Sequence, residues 1–561
     1  MKGNLLFLVL LALIPCVTTV LGEESPEPAP MNPAFLRFQA AGEVPELALE
    51  EFRLGAVPSP LDLSHLKAEE ITDYYLSLPS SYDLRNYGKL TAVRNQGNCG
   101  SCWAFASIAS LESYLMPGDK RDFSENNLKN RHGFNYTCCQ GGNKDMAAAY
   151  FARWDGPVAE SDDAYSENSC SSPGGLPVPK RVQEVIYVPG RSGALDNDVI
   201  KQAVMNHGAV TTSMRWEDSY WNSSNAAYYY YGGDDTNHLV AIVGWDDNFP
   251  ASKFKSLPPG NGAFLIRNSW GTSFGSSGYF WISYYDSVIG IWEGAVFTAG
   301  TTANYETVYQ YDPLGATNSL GYSSSSTAWC ANMFTASKAH SLTAVSTYFL
   351  ANGSAYELYV YKDCSASSPR SGTLAFSKTG TVAYAGYHTI TLDQPVPLSA
   401  GQAFSIVFKL TTPGYGYPIP MEYPISGYST GAAASPGQSF CSSGGSSWSD
   451  VTSSYPGTNV CIKGFAGTAT VPPPVVTSIM KKSDPFRIII NGSNFQNYIT
   501  VLISNAGVNN YQWSNGYIKG TTKIVLKGGS ALKAVVPKNT PTTFTLINTD
   551  GGRCDYTWQW P

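Results

Sequence analysis

At 561 residues, with a formal net charge of -7 and no basic run, the chain is too long for one ordinary core and lacks the footprint of a nucleic-acid binder. Single cores stop growing at roughly 250 to 300 residues, so several domains are expected. Charged residues make up 14% against a usual ~25%, which suits exported, strand-rich domains better than a cytosolic helical protein.

In chain order, Lys2 precedes an apolar run from Leu5 to Leu21, and Val20 and Gly22 offer small residues just ahead of a cut before Glu23. This reads as a signal peptide over residues 1–22, with an uncleaved membrane anchor as the alternative. Everything after Glu23 is then expected to be soluble, in a compartment where disulfides persist. Residues 23–78 are acidic and Pro-rich at first, with short apolar patches around Phe35 and in Pro58–Leu66 and no long periodic helix. They read as a propeptide or N-terminal extension.

Residues 79–298 show a mixed pattern. Ala104, Ile108, Leu111 and Leu115 recur at spacings of four, three and four, which marks one face of a helix that starts at or next to Cys102. Strand-like runs follow at Leu239–Trp245, Ala263–Arg267 and Tyr279–Tyr284. Residues 303–468 turn to short Val-, Tyr- and Thr-rich segments between Gly/Ser/Pro turns, such as Ala355–Tyr361, Tyr387–Leu392 and Gln402–Leu410, and predict a β-sandwich. After a Pro472–Pro474 linker, residues 475–561 alternate as strands over a length that suits a small immunoglobulin-like module.

The segment from Gln96 to Phe105 sets Cys102 at a helix start beside Trp103. Free backbone N–H groups and the helix dipole favour a thiolate there. A nucleophile also needs a base and donors for the oxyanion. The run Cys99-Gly100-Ser101-Cys102-Trp103 matches the papain/cathepsin active-site signature, and residues 79–298 resemble that family of cysteine peptidases. The family's histidine lies roughly 130 to 150 residues beyond the nucleophile, which points to His238 before Leu239-Val240-Ala241-Ile242-Val243; its Asn-Ser-Trp-Gly motif stands at Asn268-Ser269-Trp270-Gly271.

The resemblance implies an α+β two-lobed peptidase, with a helical lobe and a β-barrel-like lobe. Cys102 would be the nucleophile, His238 its acid/base partner, and Asn268 the residue that orients the histidine under the cover of Trp270. Gln96, six residues before Cys102, would supply the side-chain donor of the oxyanion hole. Cys138-Cys139-Gln140-Gly141-Gly142 resembles the family's Cys-Asn-Gly-Gly loop, so Gly141 and Gly142 would pair with substrate backbone. Disulfides Cys99–Cys139 and Cys138–Cys170 are implied, with a swap between the vicinal cysteines left open. Leu239 and Ser213 are candidates for the wall of a specificity pocket. The implied cycle hydrolyses peptide bonds through an acyl-enzyme, and needs no cofactor and no metal.

The N-terminal stretch departs from the family's usual helical propeptide, and it either covers the cleft until cleavage or packs there permanently. Pro58–Leu66 and the sandwich resemble microbial secreted peptidases that carry a lectin-like domain, for which a carbohydrate or cell-surface ligand is expected. The aromatic residues of Tyr415–Tyr428 are candidates to stack on sugar rings, with ordinary exposed turn residues as the alternative. Cys330, Cys364, Cys441 and Cys461 allow three pairings, and Cys554 is left over. The last module resembles immunoglobulin-like domains shared by plexins and some transcription factors. Two other functions compete: a surface adhesion protein with a silent protease fold, and a thiol–disulfide oxidoreductase using Cys99 and Cys102.

Overall fold

The computed structural model describes residues 25–42, 47–48, 52–67, 78–233, 235–300, 305–323, 325–467, 474–483, 486–495, 499–547 and 553–560. The signal-peptide reading, residues 68–77 at the end of the expected N-terminal extension and most of the Pro472–Pro474 linker fall outside them. Among the described residues, no helix is long and apolar enough to cross a membrane.

Three layers of structure bear on the site. Helix α1, Pro33–Ala41, starts where Asn32 Oδ1 accepts the Ala34 N–H at 2.9 Å and Pro33 presets the first turn, and ends at Gly42 with φ 61°. It buries Phe35. A helix this short carries too few apolar repeats to be read from periodicity. The chain then runs extended through Phe52–Arg53 and on to Leu66, burying Leu54, Ala56, Leu61, Leu63 and Leu66. Each large apolar side chain buried this way contributes roughly 1.5–3 kcal/mol.

Helix α2, Cys102–Leu115, begins at the expected residue, but Cys102 through Ser113 are buried on every side rather than along one face. Its serines make this possible: Ser107 Oγ donates to Trp103 O at 2.8 Å, and Ser110 and Ser113 accept the N–H groups of Phe297 and Ala209 at 3.3 and 2.9 Å. Helix α3, Lys144–Ala152, packs beside it, capped by Asn143 Oδ1.

Against these helices lies a sheet of β1 (Arg181–Val188), β2 (Val210–Met214), β3 (His238–Asp246), β4 (Ala263–Arg267), β5 (Tyr279–Ser283) and β6 (Gly294–Gly300), in the order β1-β6-β2-β3-β4-β5. Every residue of β3 but the last is buried, which suits its Val/Ile-rich run to the middle of the sheet. The sheet does not stop at β1. Strand Gly386–Leu398 pairs with it, Gly386 opposite Ile186 and Tyr387 opposite Val185, and carries it on through His340–Phe349 and Ile462–Gly467.

Those last strands form one leaf of the expected sandwich; a six-stranded sheet containing Thr327–Thr335, Ala355–Lys362 and Ala403–Thr411 forms the other. The final module consists of two four-stranded sheets around Ile488, Ile490, Ile503, Phe544 and Leu546. The N-terminal segment bridges the first two units: Glu27–Pro28 adds an edge strand to Asn318–Gly321 of the sandwich. A single buried cluster contains Phe35, Leu61, Leu63 and Leu66 together with Trp103, Tyr150, Tyr187, Tyr348, Tyr387 and Tyr428.

Candidate active site

Cys102 opens α2, His238 opens β3, Asn268 follows β4, and Gln96 lies in the loop before α2. The loops of Gln96 and Asn268 are tied together, since the Gln96 N–H donates to Ser269 O at 2.7 Å and Asn95 bridges Trp270. His238 Nε2–H donates to Asn268 Oδ1 at 2.8 Å, so the hydrogen bond leaves Nδ1 as the other ring nitrogen; it is buried and has no hydrogen-bond partner among the described residues. Trp270 stacks on the imidazole at 4.8 Å and is itself buried. The Leu239 N–H, next to His238, points at Cys102 Sγ at 3.4 Å. Cys102 is a free thiol.

Gln96 is fully buried and fixed by Ser269, whose Oγ donates to Gln96 Oε1 at 2.6 Å. This leaves the amide Nε2 to donate to Arg53 O at 2.7 Å and Cys99 O at 2.9 Å. A peptide carbonyl from the chain's own N-terminal segment thus sits on this donor. The same segment takes the other cleft groups. Gly142 N–H donates to Gly55 O and Gly142 O accepts from the Val57 N–H, both at 3.0 Å, and the Ala56 N–H donates to Asn237 O at 3.0 Å. Gly55 lies so close to Gly100 that a Cβ would meet the Gly100 carbonyl oxygen at 2.2 Å. Phe52 stacks on Trp270 at 5.2 Å.

Burial in this closed cleft sets the electrostatics. Burial pushes the Cys102 thiol up to about 11, against the lowering effect of the Leu239, Gly55 and Trp103 N–H groups. Burial likewise pushes His238 down to about 4, against its hydrogen bond to Asn268. Both groups are neutral at pH 7 while the segment is in place.

Cys99 is bonded to Cys139 and Cys138 to Cys170. The sulfur atoms of Cys138, Cys139 and Cys170 lie within 4.8 Å of one another, but all belong to these bridges and offer no thiolate to a metal. Gly141 and Gly142 border the cleft, and Leu239 and Ser213 line a cavity of about 90 Å³ beside it. The sequence offered no sign of Arg53, Gly55 or Asn237 in the cleft, because their roles rest on backbone atoms. Ser269 was legible only as part of its motif.

Residues 78–299 match the family described as papain family cysteine protease, and residues 308–466 match the lectin like domain. The chain carries a papain-family cysteine protease domain. A cysteine protease of Blomia tropicalis is 29% identical over 273 residues, covering 45% of this chain and 76% of that protein. Two plant relatives are covered over 55% and 60% of their length. Among solved structures, the cysteine protease and lectin-like domains of Cwp84, a surface layer associated protein of Clostridium difficile, superpose with a TM-score of 0.66 at 24% identity, over 79% of this chain and 98% of that one. A structure of Cwp84 after propeptide cleavage gives 0.61 at 26% identity, over 70% and 100%. The protein is therefore a cysteine protease of α+β papain-like fold with a lectin-like domain behind it, and its substrates are proteins or peptides.

Two of the four tyrosines in Tyr415–Tyr428 are engaged within the molecule. Tyr415 stacks on His65 at 4.0 Å, and Tyr428 is buried against Phe35 and Phe134 with its hydroxyl bonded to Asn143. These rings join the sandwich to the N-terminal segment and the protease. Cys330, Cys364, Cys441, Cys461 and Cys554 are free thiols, although Cys330 and Cys441 are cross-strand neighbours.

Proposed function

We propose that this chain is an extracellular endopeptidase in a closed precursor form, with Cys102 as nucleophile, His238 as acid and base, Asn268 as the group that orients His238, and Gln96 as an oxyanion donor. The observation that carries this reading is the Arg53 carbonyl held on Gln96 Nε2 beside a free cysteine at a helix N-terminus. An amide so placed stabilises the charge that develops on an attacked carbonyl, an effect worth about 2.7–4 kcal/mol per donor.

The proposed reaction follows from the side chains. The Cys102 sulfur attacks the substrate carbonyl, and His238 delivers a proton from Nδ1 to the leaving amine while Asn268 holds Nε2. Water, activated by His238, then hydrolyses the thioester. The closed form does none of this, since thiol and imidazole are both neutral under the segment. Release of residues 23–78, by cleavage before residue 79, exposes Cys102 to water and lets the thiolate–imidazolium pair form.

Extracellular placement is supported by the two disulfides and by the apolar run at residues 5–21. The domains assigned are the protease over 79–298, the lectin-like sandwich over 303–468 and the immunoglobulin-like unit over 475–561. The sandwich is proposed to hold the enzyme at a surface through a carbohydrate or cell-surface ligand.

Labelling with an epoxysuccinyl thiol inhibitor, followed by peptide mapping, tests the reading. After removal of the segment, label is expected on Cys102 alone, and Cys102→Ala is expected to lose both label and peptide hydrolysis while keeping its circular dichroism. Full turnover in that variant would end the peptidase assignment. A chain that never takes up label, cut or uncut, would favour the adhesion protein with a silent site.

A further inference from the structure

The cavity beside Leu239 and Ser213 contains charge that the chemistry at Cys102 does not use. Its protease wall includes Lys144 and Glu293, and its roof is the covering segment at Val57–Ser59 together with α1. Lys144 Nζ lies 2.8 Å from Glu293 Oε1 and 3.0 Å from Asp145 Oδ2, and the three side chains are 9%, 11% and 6% exposed. One ammonium therefore faces two carboxylates in a nearly closed space. Asp145 is further engaged by the Tyr187 hydroxyl at 2.9 Å, whereas among the described residues Glu293 forms its ion pair with Lys144.

Burial by itself would lower the Lys144 pKa, but the charges of Asp145 and Glu293 outweigh it and raise the value, so Lys144 stays an ammonium. The buried trio thus carries one negative charge in excess, and a desolvated charge without a counter-ion is costly.

The mouth of the cavity repeats the pattern. Asp235 lies there, held by Arg37 of α1 at 3.2 Å, so the segment that closes the cleft brings its own cation to this rim. When the segment leaves, Arg37 and the Val57–Ser59 roof leave with it. An extended peptide that takes over the Gly142 N–H and C=O from Gly55 and Val57 will lie along this opening.

We infer, on the basis of the peptidase reading, that this cavity is a specificity pocket for the lysine or arginine side chain of a substrate residue that pairs with Gly142. A cationic side chain entering between Glu293 and Asp235 cancels the excess charge. A leucine would bury the carboxylate without a second partner, and a glutamate would add a like charge.

The test uses the full chain, processed until an epoxysuccinyl titrant reacts with Cys102, on fluorogenic peptides varied at the two residues preceding the scissile bond. At one of these positions Lys or Arg is expected to exceed Leu in kcat/KM by about tenfold or more, with Glu poorer still. Glu293→Gln is expected to shrink that ratio by about tenfold, and Glu293→Lys to turn the preference toward acidic residues. Asp235→Asn, at the exposed rim, is expected to weaken it mildly, which covers the case in which the Glu293 variants do not fold. A wild-type preference for Leu or aromatic residues at both positions, or a Lys/Leu ratio unchanged in all folded variants, would overturn the inference alone. A chain that takes up no titrant would overturn the peptidase reading and the inference with it.

Discussion

His238 holds Asn268 at 2.8 Å under the face of Trp270, and this geometry assigns different work to different residues. Asn268 is not bonded to the thiol, so in the proposed mechanism its loss misaligns the proton donor His238 without removing the nucleophile Cys102. In Asn268→Ala we expect kcat to fall about 10- to 100-fold with KM changed far less, because orientation is felt when the proton moves. Steady-state kinetics on one fluorogenic peptide check this, and an unchanged kcat would mean that another group orients His238. At this scale the sequence was most readable. Cys102, His238 and Asn268 stand in short runs whose neighbours are needed at the same spot: Trp103 at the helix start, the β3 strand, and Trp270 over the ring. Lys144 and Glu293 had no such neighbours. They lie 149 positions apart, and each alone is an ordinary surface residue until folding brings them within 2.8 Å.

Among elements, the extended stretch Phe52–Val57 was the one least visible beforehand. Its extended form comes from pairing of Phe52–Arg53 with Leu47–Ala48 and of Gly55–Val57 with Gly142 and Asn237 rather than from its own composition, just as α1 owes its ends to Asn32, Pro33 and Gly42. By contrast, α2 announced its start and β4 its full length through their apolar content, although α2 is buried on every side and not only along the face that its period marks. The fit of Gly55 on Gly100 supplies a test. Any Cβ at residue 55 strikes backbone, so Gly55→Ala lifts the stretch away and lets water reach Cys102. In the intact wild-type chain, iodoacetamide is expected to react slowly at pH 7 and faster as pH rises toward about 11, where the buried thiol ionises. In Gly55→Ala, the rate at pH 7 is expected to rise at least about tenfold as the thiol regains its ordinary range. Equal rates in the two chains would show that the stretch does not control the thiol.

For the whole molecule, the division into peptidase, sandwich and small β unit was legible from shifts in composition and period. The seam between the first two was not. Nothing local in Arg181–Val188 or Gly386–Leu398 reveals that they are neighbours, since β pairing over some 200 positions is decided by shape and burial. The groups of the proposed active site all precede residue 299, yet β1 relies on the sandwich for its outer partner. Tyr187 and Tyr387 share one buried cluster across that seam. The packing of Tyr415 and Tyr428 was hidden for the same reason: their partners, His65, Phe35 and Phe134, come from elsewhere in the chain.

The N-terminal segment is fastened by two sets of contacts, one to the sandwich through Glu27–Pro28 and the rings of Phe35 and His65, the other to the protease through Arg37 and Arg53–Val57. Cutting the chain between residues 67 and 79 would break its covalent tie while leaving both sets of contacts in place. From then on it competes with substrate as a separate molecule, at its actual concentration and no longer at the roughly millimolar effective concentration of a short tether. Freshly cut enzyme is therefore expected to show low specific activity when concentrated and to gain activity on simple dilution, with a lag set by how fast the fragment departs. Progress curves recorded over a hundredfold range of enzyme concentration would reveal it, and a specific activity independent of dilution would mean that the cut fragment has no hold on the cleft.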